Sequence, residues 1–311
     1  MNKLIVATAV AAAFASPVLA QSSVSVYGRL NVTVESTTAG DGDRQGEVKD
    51  NASRIGFKGT EDLGSGLKAG FQIEHGFNAD TGTARSATAF WNRQAEVNLS
   101  GGFGTVRLGS WTPDSYFATS DYIGMHNHET GDSSDAFYTA TFTQTNKVGY
   151  VSPNLSGFQF YAAVAEGSAT VKKDYDVAAY YDRGALHLGG GFEKQGDFKQ
   201  FAVRGLYELG NTTLGAYVQR VTNTPLGDAT HFRVSAMYTL GASEFHVNVG
   251  RAGEYSDLDK SDALQYTLGY NYNLSKRTKV YGYYTRIDKD DVLNVYGGDF
   301  DALAIGIRHN F

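Results

Sequence analysis

From Val24 to Phe311 the chain alternates between apolar and polar residues almost without a break. Period two is strand spacing, because successive side chains of an extended chain point to opposite sides. Val24, Val26, Leu30, Val32 and Val34 share one face of the first segment, and Tyr27, Arg29, Asn31, Thr33 and Glu35 the other. Ile55 and Phe57 alternate with Arg54 and Lys58, and Leu67, Ala69, Phe71 and Ile73 with Lys68, Gln72 and Glu74. The cleanest stretch sets Leu264, Tyr266, Leu268, Tyr270 and Tyr272 against Gln265, Thr267, Asn271 and Asn273. Beyond Ala20 there is no run of about eighteen apolar residues, so any membrane crossing must be made by strands.

A soluble sandwich shows the same alternation. Two features favour a barrel in a membrane. The polar face carries Arg29, Arg54, Lys58, Glu74, Arg107, Arg204 and Arg233, so it must be wet. Short turns at 62–66, 100–102 and 210–211 trade places with longer polar links at 36–50, 78–88 and 288–299, the asymmetry of an outer-membrane barrel. The count is about sixteen antiparallel strands, a size that leaves a water-filled interior. No composition shift divides residues 21–311, which read as one domain. Four prolines against 37 glycines suit a curved sheet, and 20 tyrosines with 18 phenylalanines suit aromatic girdles at two interfaces.

Both ends of the chain agree. Leu303, Ile305, Ile307 and Phe311 share one face of the last segment, so Phe311 is expected to help close the sheet on the first strand. Met1–Ala20 has the form of a secretory leader: Lys3, an apolar stretch from Leu4 to Ala15, Pro17, and small residues before a cut after Ala20. Removing Lys3, the leader's one charged residue, takes the formal charge from -6 to -7, which with the lack of a basic stripe argues against nucleic acid as a partner. The absence of cysteine excludes disulfides and thiolate metal sites.

One link stands apart. Residues 111–138, between the strand Thr105–Ser110 and one expected near Thr139–Val151, alternate little and contain Asp114, Asp121, His126, His128, Glu129, Asp132 and Asp135. That is far longer than a usual hairpin connection.

The chain resembles the trimeric general porins of Gram-negative bacteria, of the neisserial and β-proteobacterial type. The block Ser53-Arg54-Ile55-Gly56-Phe57-Lys58-Gly59-Thr60-Glu61-Asp62-Leu63-Gly64-Ser65-Gly66-Leu67-Lys68-Ala69 carries the likeness. Val24–Gly28, Arg93-Gln94-Ala95, Gly102–Val106, Tyr150–Pro153, Ser156–Phe158 and the final His309-Asn310-Phe311 support it. The resemblance implies a 16-stranded transmembrane β-barrel with an inward-folded third loop, associated as a homotrimer through its early strands. It implies a bacterial outer-membrane location, passive diffusion of small hydrophilic solutes and ions, and contact with lipid, lipopolysaccharide and the barrel-assembly machinery. It also implies wall arginines facing loop acids. Two of these map onto Arg54 and Arg93, while Thr143 stands where a third is usual. Parity adds Arg29, Lys58 and Arg107 to the wall, and Lys147 shares a strand face with Thr143. Asp114, Asp121 and Glu129 are the chosen loop acids.

Alternation places Arg93 with Trp91, Ala95, Val97 and Leu99, the apolar set. Either a bulge re-aims it or this strand lies in a subunit interface. His126-Asn127-His128-Glu129 has metal-ligand residue types but the look of a loop, and neither a metal nor another cofactor is expected. Gly189-Gly190-Gly191 lies inside a strand pattern and reads as close packing or curvature, not as a phosphate loop. No constellation of nucleophile and base points to an enzyme. The nearer alternative is a substrate-specific channel, for which Tyr116, Phe117, Tyr122, Phe137 and Tyr138 in the long link could form an aromatic lining. An adhesin would call for longer loops than these.

Overall fold

The computed structural model describes residues 23–120, 123, 126, 135–289 and 299–311. The expected leader Met1–Ala20, and Asp121, Tyr122 and Glu129, lie outside the described residues. Strands follow one another as β1 (Ser23–Ala39), β2 (Gln45–Asp50), β3 (Arg54–Gly64), β4 (Leu67–Asn78), β5 (Thr83–Ala84), β6 (Gln94–Gly101) and β7 (Gly104–Ser110). After a short helix α1 (Asp114–Thr119) come β8 (Lys147–Val151), β9 (Phe158–Ala165), β10 (Asp174–Arg183), β11 (Leu186–Gln195) and β12 (Phe198–Leu209). The run ends with β13 (Thr212–Thr224), β14 (Gly227–Leu240), β15 (Ser243–Ala252), β16 (Ala263–Asn273), β17 (Thr278–Lys289) and β18 (Phe300–Asn310).

These make a closed antiparallel barrel of sixteen strands. β2 and β3 both pair with β1 and form one barrel strand, interrupted at 51–53 where Ala52 takes a φ of 63°. β5 is a two-residue ladder beside β4. Closure comes from β1 and β18, in register from Arg29↔Asn310 to Ala39↔Phe300. It removes both sheet edges, and in a bilayer each unsatisfied backbone group would cost several kcal/mol.

Alternation maps onto two faces. Val34, Val218, Val234, Phe245, Leu268 and Ile305 stand exposed on the apolar face, while Glu35, Gln219, Arg233, Asn248, Gln265 and Thr267 are buried on the polar one. No helix among the described residues is long and apolar enough to cross a membrane.

Three details depart from the sequence reading. The link expected at 36–50 is mostly strand, because Val32–Thr37 pairs with Gln45–Asp50; polar residues carry the wall upward there. On the long-link side, the connections at 196–197 and 225–226 are as short as the turns opposite. The strand expected near Thr139–Val151 begins only at Lys147. Phe142 and Asn146 have φ values of 50° and 57°, which breaks the alternation that put Thr143 and Lys147 on one face.

Candidate functional site

The polar face gathers charge in three places, beginning at the seam. Arg54 and Arg93 share one carboxylate: Arg93 Nε lies 2.5 Å from Glu74 Oε1 and Arg54 Nε 3.6 Å from Glu74 Oε2. Arg93 precedes β6, so neither a bulge within that strand nor a subunit interface has to explain it. Its stem passes over Gly76, where a side chain would stand 3.0 Å from Arg93 Cδ, and the guanidinium reaches the face that carries Glu74. Arg29 Nε donates to Asn310 Oδ1 at 2.9 Å. Lys58 sits 5.3 Å from the Tyr27 ring, nearer the short-turn end.

The second cluster joins β7 to the long link. Arg107 donates to Glu96 at 2.8 Å and to Asp114 at 3.1 Å, and lies 4.3 Å from the centre of the Trp111 ring. Trp111 Nε1 donates to Asp114 Oδ2 at 3.2 Å. Burial raises Asp114 above the ordinary aspartate value, with neighbouring Asp176 adding to it, despite the opposing pull of Arg107. Pro113 gives α1 no side-chain cap, so the Asp176 carboxylate takes its free N–H groups, at 2.6 Å from Asp114 and 3.0 Å from Ser115. Lys147 is buried 3.7 Å from Asp176 and 5.0 Å from the Trp111 ring. Among the chosen residues, Arg107 and Asp114 are thus in contact, and Lys147 is close by. Arg54 and Arg93 both contact Glu74 on β4. Thr143 accepts from Gln195 Nε2 at 2.8 Å.

The third cluster ties the far part of the link to β11–β17. Asp135 accepts from Arg233 Nη2 at 2.8 Å, from the Phe137 N–H at 2.9 Å and from Tyr217 Oη. Arg233 also donates to Gln265 at 2.6 Å and to Asn248. Burial alone would raise the Asp135 carboxyl; the Arg233 guanidinium and the hydrogen bonds from Arg233, Tyr217 and Phe137 outweigh it and hold the group below its ordinary value. Gln219 bonds the backbone of Thr139 at both its N–H and its carbonyl, and the Thr141 N–H donates to Glu193 at 3.1 Å. Phe137 packs on Ala252, Ala263 and Ile287, and Tyr138 on Ala202, Tyr217 and Ile123. Both aromatics are buried against the wall.

Glu74, Glu96, Asp176, Glu193 and Arg233 were legible as polar-face charges by the parity that picked out the arginines. Their pairing across strands was not, since it depends on register. Asp135 carried no signal, because a loop offers no period by which to rank its acids. The Gly189–Gly191 run has a packing role: the Cβ of a residue at 189 would collide with the Ala118 carbonyl, and at 191 would stand 2.7 Å from that of Ser115.

A closed barrel with apolar residues outside and opposed charges on its wet face defines a membrane channel. The family model for the Gram-negative porin matches residues 7–292. Outer membrane porin protein 32 of Delftia acidovorans is 32% identical, with both chains covered in full. Major outer membrane protein P.IB of Neisseria meningitidis serogroup B is 27% identical, over all of this chain and 89% of the relative. The structure of the anion-selective porin from Comamonas acidovorans superposes with a TM-score of 0.77 at 26% identity, covering 94% of this chain and 100% of that one. The chain belongs to the Gram-negative porin family. It is an outer-membrane channel for passive diffusion, and the family is one of channels, not enzymes.

Proposed function

We propose that residues 111–146 fold into the barrel as its third loop and narrow the channel. Arg54, Arg93 and Arg29 form the basic side of the passage, and Asp114 stands on the acidic side with Asp174, Asp176 and Glu193. The observation that carries this is the convergence of the Arg54 and Arg93 guanidiniums on the carboxylate of Glu74, which gathers basic groups on that wall. Opposed fixed charges across a narrow wet gap orient dipolar solutes and bias ion passage. The preference read here is weakly for anions, because Thr143 supplies no third wall arginine and Lys147 is occupied by Asp176. The solutes are small and hydrophilic, without a dedicated ligand. The protein works as a homotrimer in contact with outer-membrane lipid and lipopolysaccharide, inserted by the barrel-assembly machinery after loss of Met1–Ala20.

Reversal potentials across a salt gradient in planar bilayers test the assignment. Arg54→Ala and Arg93→Ala should each lower the anion-to-cation ratio by a few-fold, since a unit charge about 4 Å away in water is worth about 1 kcal/mol. Thr143→Arg should raise it. Ratios and conductances equal to wild type in all three variants would sink the assignment.

A further inference from the structure

Two positions on the polar face of the wall hold apolar side chains. Leu206 follows Gln200, Ala202 and Arg204 along that face of β12, and Met237 follows Arg233 and Ser235 along that of β14. Both stay partly open to solvent, although alternation calls for a polar residue at each. Leu206 stands opposite Gly215 on β13 and Met237 opposite Thr213, so only two residues of one strand separate them. Leu206 is held in place by packing against Ile123, Tyr138, Ala202 and Tyr217. With Asp182, His187 and Glu208 the two line a recess of about 460 Å³. β11 runs from Gly191 against Ser115, through Gly189 against Ala118, to His187, so the recess lies on the short-turn side of α1.

The exposed charge of the recess is negative. Asp182 Oδ1 lies 2.7 Å from His187 Nδ1, and Glu208 Oε1 lies 3.7 Å from His187 Nε2. The two carboxyl side chains are 52% and 59% exposed, and the one imidazole between them carries at most a single positive charge. Two cations also line the recess, and each is engaged. Lys279 Nζ lies 3.5 Å from Glu244, which also accepts from Asn271 at 2.7 Å and from Asn273 at 2.6 Å. Arg204 is buried and lies 5.8 Å from the centre of the Tyr180 ring.

We infer that this recess binds organic cations that carry an apolar body. The ammonium meets the exposed oxygens of Asp182 and Glu208 in charge-assisted hydrogen bonds. The body covers Leu206 and Met237 and takes their apolar surface out of water. The unbranched Met237 chain adapts to bodies of different shape. A polyamine would find the carboxylates and leave the apolar floor bare, and an amphiphilic acid would find the floor and be repelled by the carboxylates. The site holds back one class of solute in a passage that is otherwise unselective, and it stands whichever charges narrow the channel above it.

Phenethylammonium added on the short-turn side of the mature barrel in a planar bilayer tests the site, through the concentration that halves the potassium chloride current. Asp182→Asn with Glu208→Gln should raise that concentration roughly tenfold, and Met237→Gln should raise it a few-fold. On the wild type, methylammonium has the charge without the body and should block roughly tenfold less well. Phenylacetate has the body with the opposite charge and should not block. Equal block of wild type and the double variant overturns the proposal, and so does block by methylammonium or phenylacetate equal to that by phenethylammonium. The three probes on wild type decide the matter even where a variant inserts poorly. Arg54→Ala and Arg93→Ala should leave the block in place; its loss in either would put the amine at the constriction and overturn the recess, with the channel reading intact.

Discussion

Arg233 is a fully buried cation in the wall of a channel that could have kept it wet, and Asp135 is the reason it is tolerated. Breaking a buried pair by removing one charge leaves the other uncompensated and costs about 3 kcal/mol or more. Asp135→Asn should therefore lower the thermal transition of the detergent-folded barrel and add fluctuations to its single-channel current. Adding Arg233→Met to that variant should recover much of the loss. The pH dependence has a definite sign. The folded carboxyl lies below its ordinary value of 3.8, so its contribution is complete above that value and disappears as pH falls through the depressed one. Wild type should hold its transition from neutral pH to about pH 4 and lose it only in stronger acid, whereas Asp135→Asn should lack that contribution throughout. A wild-type transition that already fails near pH 5 to 6 would contradict the pairing. At this scale the sequence was half legible. Parity exposed Arg233 as a wet-face charge, but its partner sits in a segment where parity has no meaning.

The helix α1 survives at six residues because two things outside it are right. Asp176 takes its first N–H groups, and Gly189 and Gly191 leave it room on β11. Gly189→Val should push α1 off the sheet at a cost of about 1–3 kcal/mol, the usual range for overpacking, and should alter conductance. Gly190→Ala is the control: a Cβ there meets nothing nearer than 3.9 Å, so conductance and transition should stay put. Equal behaviour of the two variants would refute the packing role. Strands were the most readable elements, since their faces repeat every two residues and one of them must be apolar. Where a positive φ intervenes, as at Phe142 and Asn146, counting by twos carries the reader onto the wrong face, which is how β8 acquired eight residues it does not have.

For the whole molecule, the first and last strands hold the answer together. Gly28 and Phe311 exchange backbone hydrogen bonds at 3.0 and 3.1 Å, and the Phe311 ring occupies the place of the side chain that Gly28 lacks. Phe311→Ala should remove about 1–2 kcal/mol of apolar burial at the seam and lower the fraction of chain that migrates as a heat-modifiable barrel. An unchanged fraction would show that the terminal ring is dispensable. The closed architecture was readable early, from alternation that recurs along nearly the whole chain and from a final segment as apolar on one side as the first. The two extra-short connections at 196–197 and 225–226 were not, because polar residues beside a turn look the same whether they belong to a loop or extend the wall.

The seam has a consequence for how such a polypeptide is made. Its two halves are separated by almost the entire length of the chain, so β1 and β18 can pair only after everything between them has been made. Until 300–311 emerges, every intermediate presents two raw borders to whatever surrounds it. A copy lacking 300–311 would leave Arg29–Ala39 without the strand that closes the sheet, and so with an open edge.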